Sequence, residues 1–189
     1  MARGGQGLAR VAVVVRAGAV PLWWLGVFAA GIGVLPEGIT GRRIGVMTGA
    51  VLFIIAAAVV ARTRRKRYLT LAASAAKAGK HDVLQDRAIT VRNWRRGHRW
   101  WLLLAFAAAL GSSFAVPAAG GLLLAGAGTG LWLKAGWLGR RERADEALRW
   151  VRVDWLGPGA GRPAGKPVKA YRATGPEAGD AAPGGARRR

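Results

Sequence analysis

Four apolar runs without a charged side chain stand out along the chain, at residues 17–35, 44–61, 100–116 and 118–133. A helix needs about 20 residues to cross the hydrocarbon core of a bilayer, and about 17 is the lower end. The first two runs meet that length. The third reaches it by extending back past Trp94, and the fourth by extending through Lys134, whose stem can snorkel, to Trp137 and Leu138. The last two are joined by "GSSFAVPAAGG", where Pro117 and glycines supply turn chemistry and no charge intervenes, so a tight helical hairpin is predicted. On length alone, a re-entrant hairpin that never fully crosses is the alternative. The first run follows Arg3, Arg10 and Arg16 and so has the outline of a signal peptide. Its length and the "PLWWL" within it argue for an uncleaved span.

The connection between the second and third runs, residues 62–99, is too long for a turn. "ARTRRKRYLTLAASAAKAG" continues the second helix in good helix formers, with Gly79 as terminator. Asp82, with Gln85 three residues on, has the spacing of a capping box that starts a second helix running into the third span. The expectation is an antiparallel helical hairpin that projects about 25 Å from the membrane. Leu84, Ala88 and Val91 of one arm would pack on Leu69, Ala72, Ala73 and Ala76 of the other.

Downstream, Ala144, Ala147, Leu148, Val151 and Trp155 recur at helical spacing, and Asp145 and Arg149 form an i, i+4 pair. An amphipathic helix over 139–156 is predicted, packed on the hairpin in preference to the membrane surface. Residues 157–189 hold eight glycines and five prolines with a net charge of +5. Such a segment buries too little to offset its ordering entropy, so a disordered basic tail is expected. The expected fold class is all-α. It comprises a four-span integral membrane domain over 1–138 that includes the cytoplasmic hairpin 62–99, then the amphipathic helix and the tail.

Composition supports two solvents for one chain. It is 52% hydrophobic yet carries a formal charge of +21, and a bilayer separates those two populations. Arginine outnumbers lysine 24 to 6, and GC-rich codon usage in a bacterium accounts for part of that excess. The cations are unevenly placed. The 62–99 connection holds twelve and the region after residue 133 holds thirteen, against Arg42 and Arg43 in the first loop and none in the last turn. By the positive-inside rule, the connection and both termini face the cytoplasm, in the inner membrane of a bacterium. Trp100, Trp101, Trp132 and Trp137 fall at the basic ends of their runs, where indoles anchor at headgroup level.

The cations also supply the candidate site. Arg92, Arg95, Arg96 and Arg99 lie at i, i+3, i+4 and i+7 on one helix face. Arg62, Arg64, Arg65, Lys66 and Arg67 cluster at the base of the opposite arm. These nine residues are a candidate polyanion-binding surface. Anionic lipid headgroups satisfy them at about 1 kcal/mol each; DNA satisfies them through phosphate contacts that carry no base specificity. An acidic protein partner is a third possibility.

Chemistry of other kinds is not signalled. The chain has no cysteine, and His81 and His98 are isolated from other ligand types, so no cofactor or metal is expected. Glu142, Asp145 and Glu146 read as helix-surface charges. Paired acid–base residues are lacking, which argues against an enzyme acting on lipids. The runs carry no ionisable residue at depth, which argues against a coupled transporter but leaves open an oligomeric pore or a transport accessory without a nucleic-acid role. Small residues recur at four-residue spacing, as in Gly45/Gly49, Ala107/Gly111, Gly121/Ala125 and Gly126/Gly130. They serve close helix packing, within the chain or in a homo-oligomer.

In architecture and composition, residues 10–156 resemble the small basic four-span "spread" membrane proteins of actinobacterial conjugative plasmids; no motif carries the resemblance and no residue role transfers. It implies a non-enzymatic membrane scaffold that contacts DNA without sequence preference beside a membrane DNA-translocating ATPase during plasmid transfer.

Overall fold

The computed structural model describes residues 7–36, 38–79, 82–153, 156, 168 and 170–176. Its helices are α1 (Val11–Ala17), α2 (Ala19–Gly33), α3 (Arg42–Arg62), α4 (Arg65–Ala73), α5 (Arg87–Ser112) and α6 (Ala119–Ala144). α1 with α2, and α3 with α4, are nearly continuous, so the described residues form four helical rods. Two, Val11–Gly33 and Arg42–Ala73, are long and apolar enough to cross a membrane by length and composition. Five short strands accompany them: β1 (Gly7–Arg10), β2 (Ala76–Lys77), β3 (Val83–Leu84), β4 (Leu148–Arg152) and β5 (Arg172–Thr174). Contacts divide the chain into two compact units. A sheet unit takes Met1–Val14, Arg64–Gly97 and Gly136–Arg189; a helical unit takes Val15–Thr63 and His98–Ala135.

The sheet overturns the expectation of an all-α fold. Its order is β2-β5-β4-β1-β3, with β1 antiparallel to β4, β4 antiparallel to β5, and the two-residue edge strands parallel to their neighbours. Short edges limit the unpaired backbone a sheet presents. The predicted 62–99 hairpin is not formed. α4 stops at Ala73, the chain then enters β2 and β3, and α5 starts only at Arg87. Leu84 packs not on the opposite arm but beside Leu8, Leu148 and Trp150. Asp82 caps a turn and no helix: its carboxylate accepts the Gly79 N–H at 2.8 Å. Gln85 donates its backbone N–H to the Leu8 carbonyl of β1.

The predicted amphipathic helix over 139–156 is likewise corrected. α6 continues to Ala144, a turn with Glu146 at φ 47° follows, and residues 148–152 are the central strand. The reason is visible in "LRWVRV". Its β-branched and aromatic residues alternate sides, with Leu148 and Trp150 facing one way and Val151 the other, and both faces are covered. On one side Val151 meets Ala9, Val11 and Tyr171, with Tyr68, Leu71 and Leu138 packed around them. On the other, Trp150 is fully buried with Leu8 and Leu148, and its indole N–H donates to Thr174 Oγ at 2.7 Å. Trp155 lies outside the described residues. The expected disordered tail is corrected at residues 171–174, which include a buried tyrosine and β5; most of 157–189 lies outside the described residues.

The helical unit has a different interior. Its buried apolar residues are alanines, from Ala17 and Ala19 to Ala125 and Ala135, together with Pro117. Glycines let the backbones meet. A Cβ at Gly121 would lie 2.2 Å from the Ala30 amide nitrogen of α2, and one at Gly126 would lie 2.3 Å from the Phe53 carbonyl of α3. α6 is thus gripped by α2 on one side and α3 on another, and Gly45 and Gly49 also face packed neighbours. Gly111, by contrast, faces open space. The 113–118 turn sits where the sequence put it. Its backbone bonds to the first loop, from Ile39 and Thr40 to Phe114 and Ala115, and from Ala118 to Gly33.

Candidate polyanion interface and an adjoining groove

α5 is one helix from Arg87 to Ser112, so Arg92, Arg95, Arg96 and Arg99 keep their one-sided spacing, and all four are exposed. Arg99 lies over the Trp100 ring at 5.5 Å. Arg92, Arg95 and Arg96 form no ion pair among the described residues. The 62–67 group is less uniform. Arg62, Arg64 and Lys66 are exposed, and Arg64 begins α4 in the left-handed conformation. Arg65 is half-buried, stacked over Trp137 at 5.0 Å, a cation–π contact. Arg67 donates to the Val168 carbonyl at 3.4 Å. Two of the five cations therefore have work inside the sheet unit. Trp100 and Trp101 are exposed, Trp132 lies 5.9 Å from Trp23, and Trp137 is half-buried beneath Arg65.

Glu142 is the residue that sequence reasoning misplaced. It is 4% exposed, not a surface charge. One carboxylate oxygen accepts Arg10 Nη2 at 2.7 Å and Nε at 3.0 Å, and the other accepts the Arg149 N–H at 3.2 Å. It ties the end of β1 to the start of β4. No local signal marks it, because Arg10 is 132 residues away. Asp145 and Arg149 do pair, at 3.5 Å, although across the helix-to-strand turn and not along a helix.

Beside this node lies a small open hollow of about 30 Å³ between α4 and the last turns of α6. Tyr68, Leu69 and Ala72 form one wall; Trp137, Leu138 and Arg141 form the other. Asp145, Arg149 and Tyr171 border it further along. Burial pushes the Tyr171 phenol well above its ordinary value, with the neighbouring Tyr68 adding to the effect, so it is a neutral hydroxyl. Among the described residues there is no group of three or more metal-ligating side chains.

No family model, no curated protein and no solved structure matches this chain.

Proposed function

We propose that the protein is a non-catalytic membrane scaffold of the bacterial inner membrane, whose cytoplasmic sheet unit presents cations to a polyanion, with duplex DNA as the ligand. The contrast between the two units carries the membrane half of this reading. Of the 24 large apolar side chains exposed among the described residues, 21 belong to the helical unit, among them Phe28, Ile54, Leu104 and Leu133. Water-facing surfaces rarely gather so many. Small residues inside and large apolar residues outside is the arrangement expected where lipid is the solvent. The sheet unit has the opposite arrangement, with Leu8, Val151 and Trp150 inside and arginines outside.

Orientation is supported by strand pairing as well as by charge. β1, β3 and β4 come from before the first rod, between the second and third, and after the fourth, and they share one sheet. Those three segments then occupy one side, the same side that holds the clustered arginines.

The DNA half rests on the exposed Arg92, Arg95 and Arg96, which form no ion pair among the described residues. Detergent-solubilised protein should retard duplex DNA of any sequence, with affinity falling steeply as salt rises. Changing these three residues to Gln should lower the slope of log affinity against log salt by about 2–3. Absence of retardation at about 0.15 M salt in folded protein, with retained flotation on anionic liposomes, would leave only the lipid role. A place beside a DNA-translocating ATPase belongs to the same proposal and is tested by co-purification from the native host.

A further inference from the structure

Two short loops of the helical unit, residues 34–41 and 113–118, are joined into one cap. The Ile39 N–H donates to the Phe114 carbonyl, the Thr40 N–H to the Ala115 carbonyl, and the Ala118 N–H to the Gly33 carbonyl. Pro117 is wedged against α3, where a Cβ at Gly45 would lie 2.6 Å from its Cδ. The turn leaves little for water to solvate. Each backbone N–H from Ser113 to Ala119 has an acceptor within the chain, and Pro117 has no N–H to satisfy. The hydroxyls are used as well: Ser112 and Ser113 donate to the Ala109 carbonyl, and Thr40 to the Ala115 carbonyl. The side chains that the cap exposes are apolar. Ile39 is 87% exposed, Leu35 72% and Phe114 71%.

Length sets the depth of this cap. Arg99 is exposed and charged, so the apolar part of α5 runs from Trp100 to Ser112, about 18 Å at 1.5 Å per residue. α6 from Ala119 to Lys134 covers about 22 Å. Both fall short of a hydrocarbon core of about 30 Å. α3, from Arg42 to Arg62, covers about 30 Å with an exposed arginine at each end. Because Pro117 packs at Gly45, the turn lies about one helical turn inside Arg42.

We propose that the cap sits in the acyl region of the outer leaflet, with phospholipid chains covering Leu35, Ile39 and Phe114 and headgroup phosphates meeting Arg42 and Arg43. A turn lies at such depth only where protein satisfies its backbone, and the 113–118 turn meets that condition. Arg42 and Arg43 are exposed one turn further out, where guanidiniums reach phosphate oxygens. The bilayer thins locally to accommodate the two short rods. This inference rests on the membrane reading of the helical unit and uses none of the residues of the polyanion surface.

The chain has no cysteine, so single-cysteine variants carry a nitroxide label at one chosen place. The full chain is reconstituted in vesicles of phosphatidylethanolamine and phosphatidylglycerol. Power saturation then compares access to oxygen, which partitions into lipid, with access to a water-soluble nickel chelate. Leu103→Cys, exposed on α5, is the lipid reference, and Arg95→Cys is the water reference. Ile39→Cys and Phe114→Cys should show the severalfold oxygen preference of Leu103→Cys, and Arg43→Cys a value between the two references. Chelate access at both cap positions equal to that of Arg95→Cys, with Leu103→Cys still lipid-like, would place the cap in water and overturn the proposal while leaving the membrane reading intact. A water-like Leu103→Cys would overturn both. Shielding of the cap labels from oxygen and chelate alike would mean that a second copy or another protein covers them, and would overturn lipid as the occupant.

Discussion

Removal of the Glu142 side chain is the sharpest probe of how the sheet unit is held together. In Glu142→Ala the Arg10 guanidinium loses both hydrogen bonds to the carboxylate, and the Arg149 N–H loses its acceptor. Breaking a buried ion pair by removing one partner costs about 3–5 kcal/mol, mostly because the surviving charge is stranded. Arg10 keeps 25% of its side chain exposed against 3% for Glu142, so water recovers part of that loss. About 2 kcal/mol remains for the pair, and about 1 kcal/mol is added for the orphaned N–H. At about 4–8 °C per kcal/mol for a domain of 60–100 residues, melting of the sheet unit should fall by about 12–24 °C.

The assay is hydrogen exchange through a thermal ramp, which follows β1 and β4 separately from the helices. Glu142→Gln retains an acceptor for the Arg149 N–H and should fall between the wild type and the alanine variant. The double variant Arg10→Ala, Glu142→Ala should be more stable than Glu142→Ala alone, since it removes the stranded charge. A Glu142→Ala protein that protects β1 and β4 as the wild type does would refute the reasoning. So would a double variant whose loss is the sum of the single losses.

Three further outcomes are expected. Gly126→Ala should destabilise the helical unit by about 1–3 kcal/mol, since its Cβ meets Phe53 backbone, whereas Gly111→Ala, facing open space, should leave the detergent melt unchanged. The chain has two tyrosines, so in a Tyr68→Phe background Tyr171 alone reports phenolate absorbance. Its pKa is raised on folding, so its contribution to stability is present below pH about 10 and is lost as pH rises through the folded value. Folded protein should therefore show no phenolate at pH about 10, where denatured protein does; titration there without unfolding would contradict the burial. Reporter fusions after Pro36 and Pro117 should be external, and fusions after Gly79 and Arg189 internal; a reversed or mixed pattern would contradict the proposed orientation.

What was legible in the sequence was what repeats locally. The four helical rods and the 113–118 turn follow from long apolar runs, Pro117 and the glycines, all read within a window of twenty residues. The packing role of Gly126 and Gly130 was also visible as spacing, although only the fold separates them from Gly111, which meets nothing. The sheet was hidden because each strand is completed by a distant one. Ala76 and Lys77 carry no strand signal and pair with Arg172 and Ala173. The helical reading of 139–156 used five residues at 3.6-residue spacing and passed over the twofold alternation in "LRWVRV", which was the stronger clue once the partners Leu8 and Ala9 existed. Arg10 and Glu142 gave no sign of each other.

In the proposed reading, the two units solve opposite solvation problems with one chain, and the solutions constrain one another. A sheet drawn from three remote segments needs all of them in the same solvent, because strand hydrogen bonds cannot form across a bilayer. In the proposed arrangement that requirement is met by an even number of spans with short loops on the far side, where only Arg42 and Arg43 interrupt a lack of basic charge. The alanine and glycine interior of the helical unit then has a second consequence. It buries little apolar area, so hydrophobic burial from water contributes little to its packing, and in the proposed membrane setting close backbone approach supplies the rest. The sheet unit, with Trp150, Leu8 and Tyr171 at its centre, has a water-type core of its own. Charge on its surface is what the proposed ligand contact would use: Arg92, Arg95 and Arg96 form no ion pair among the described residues.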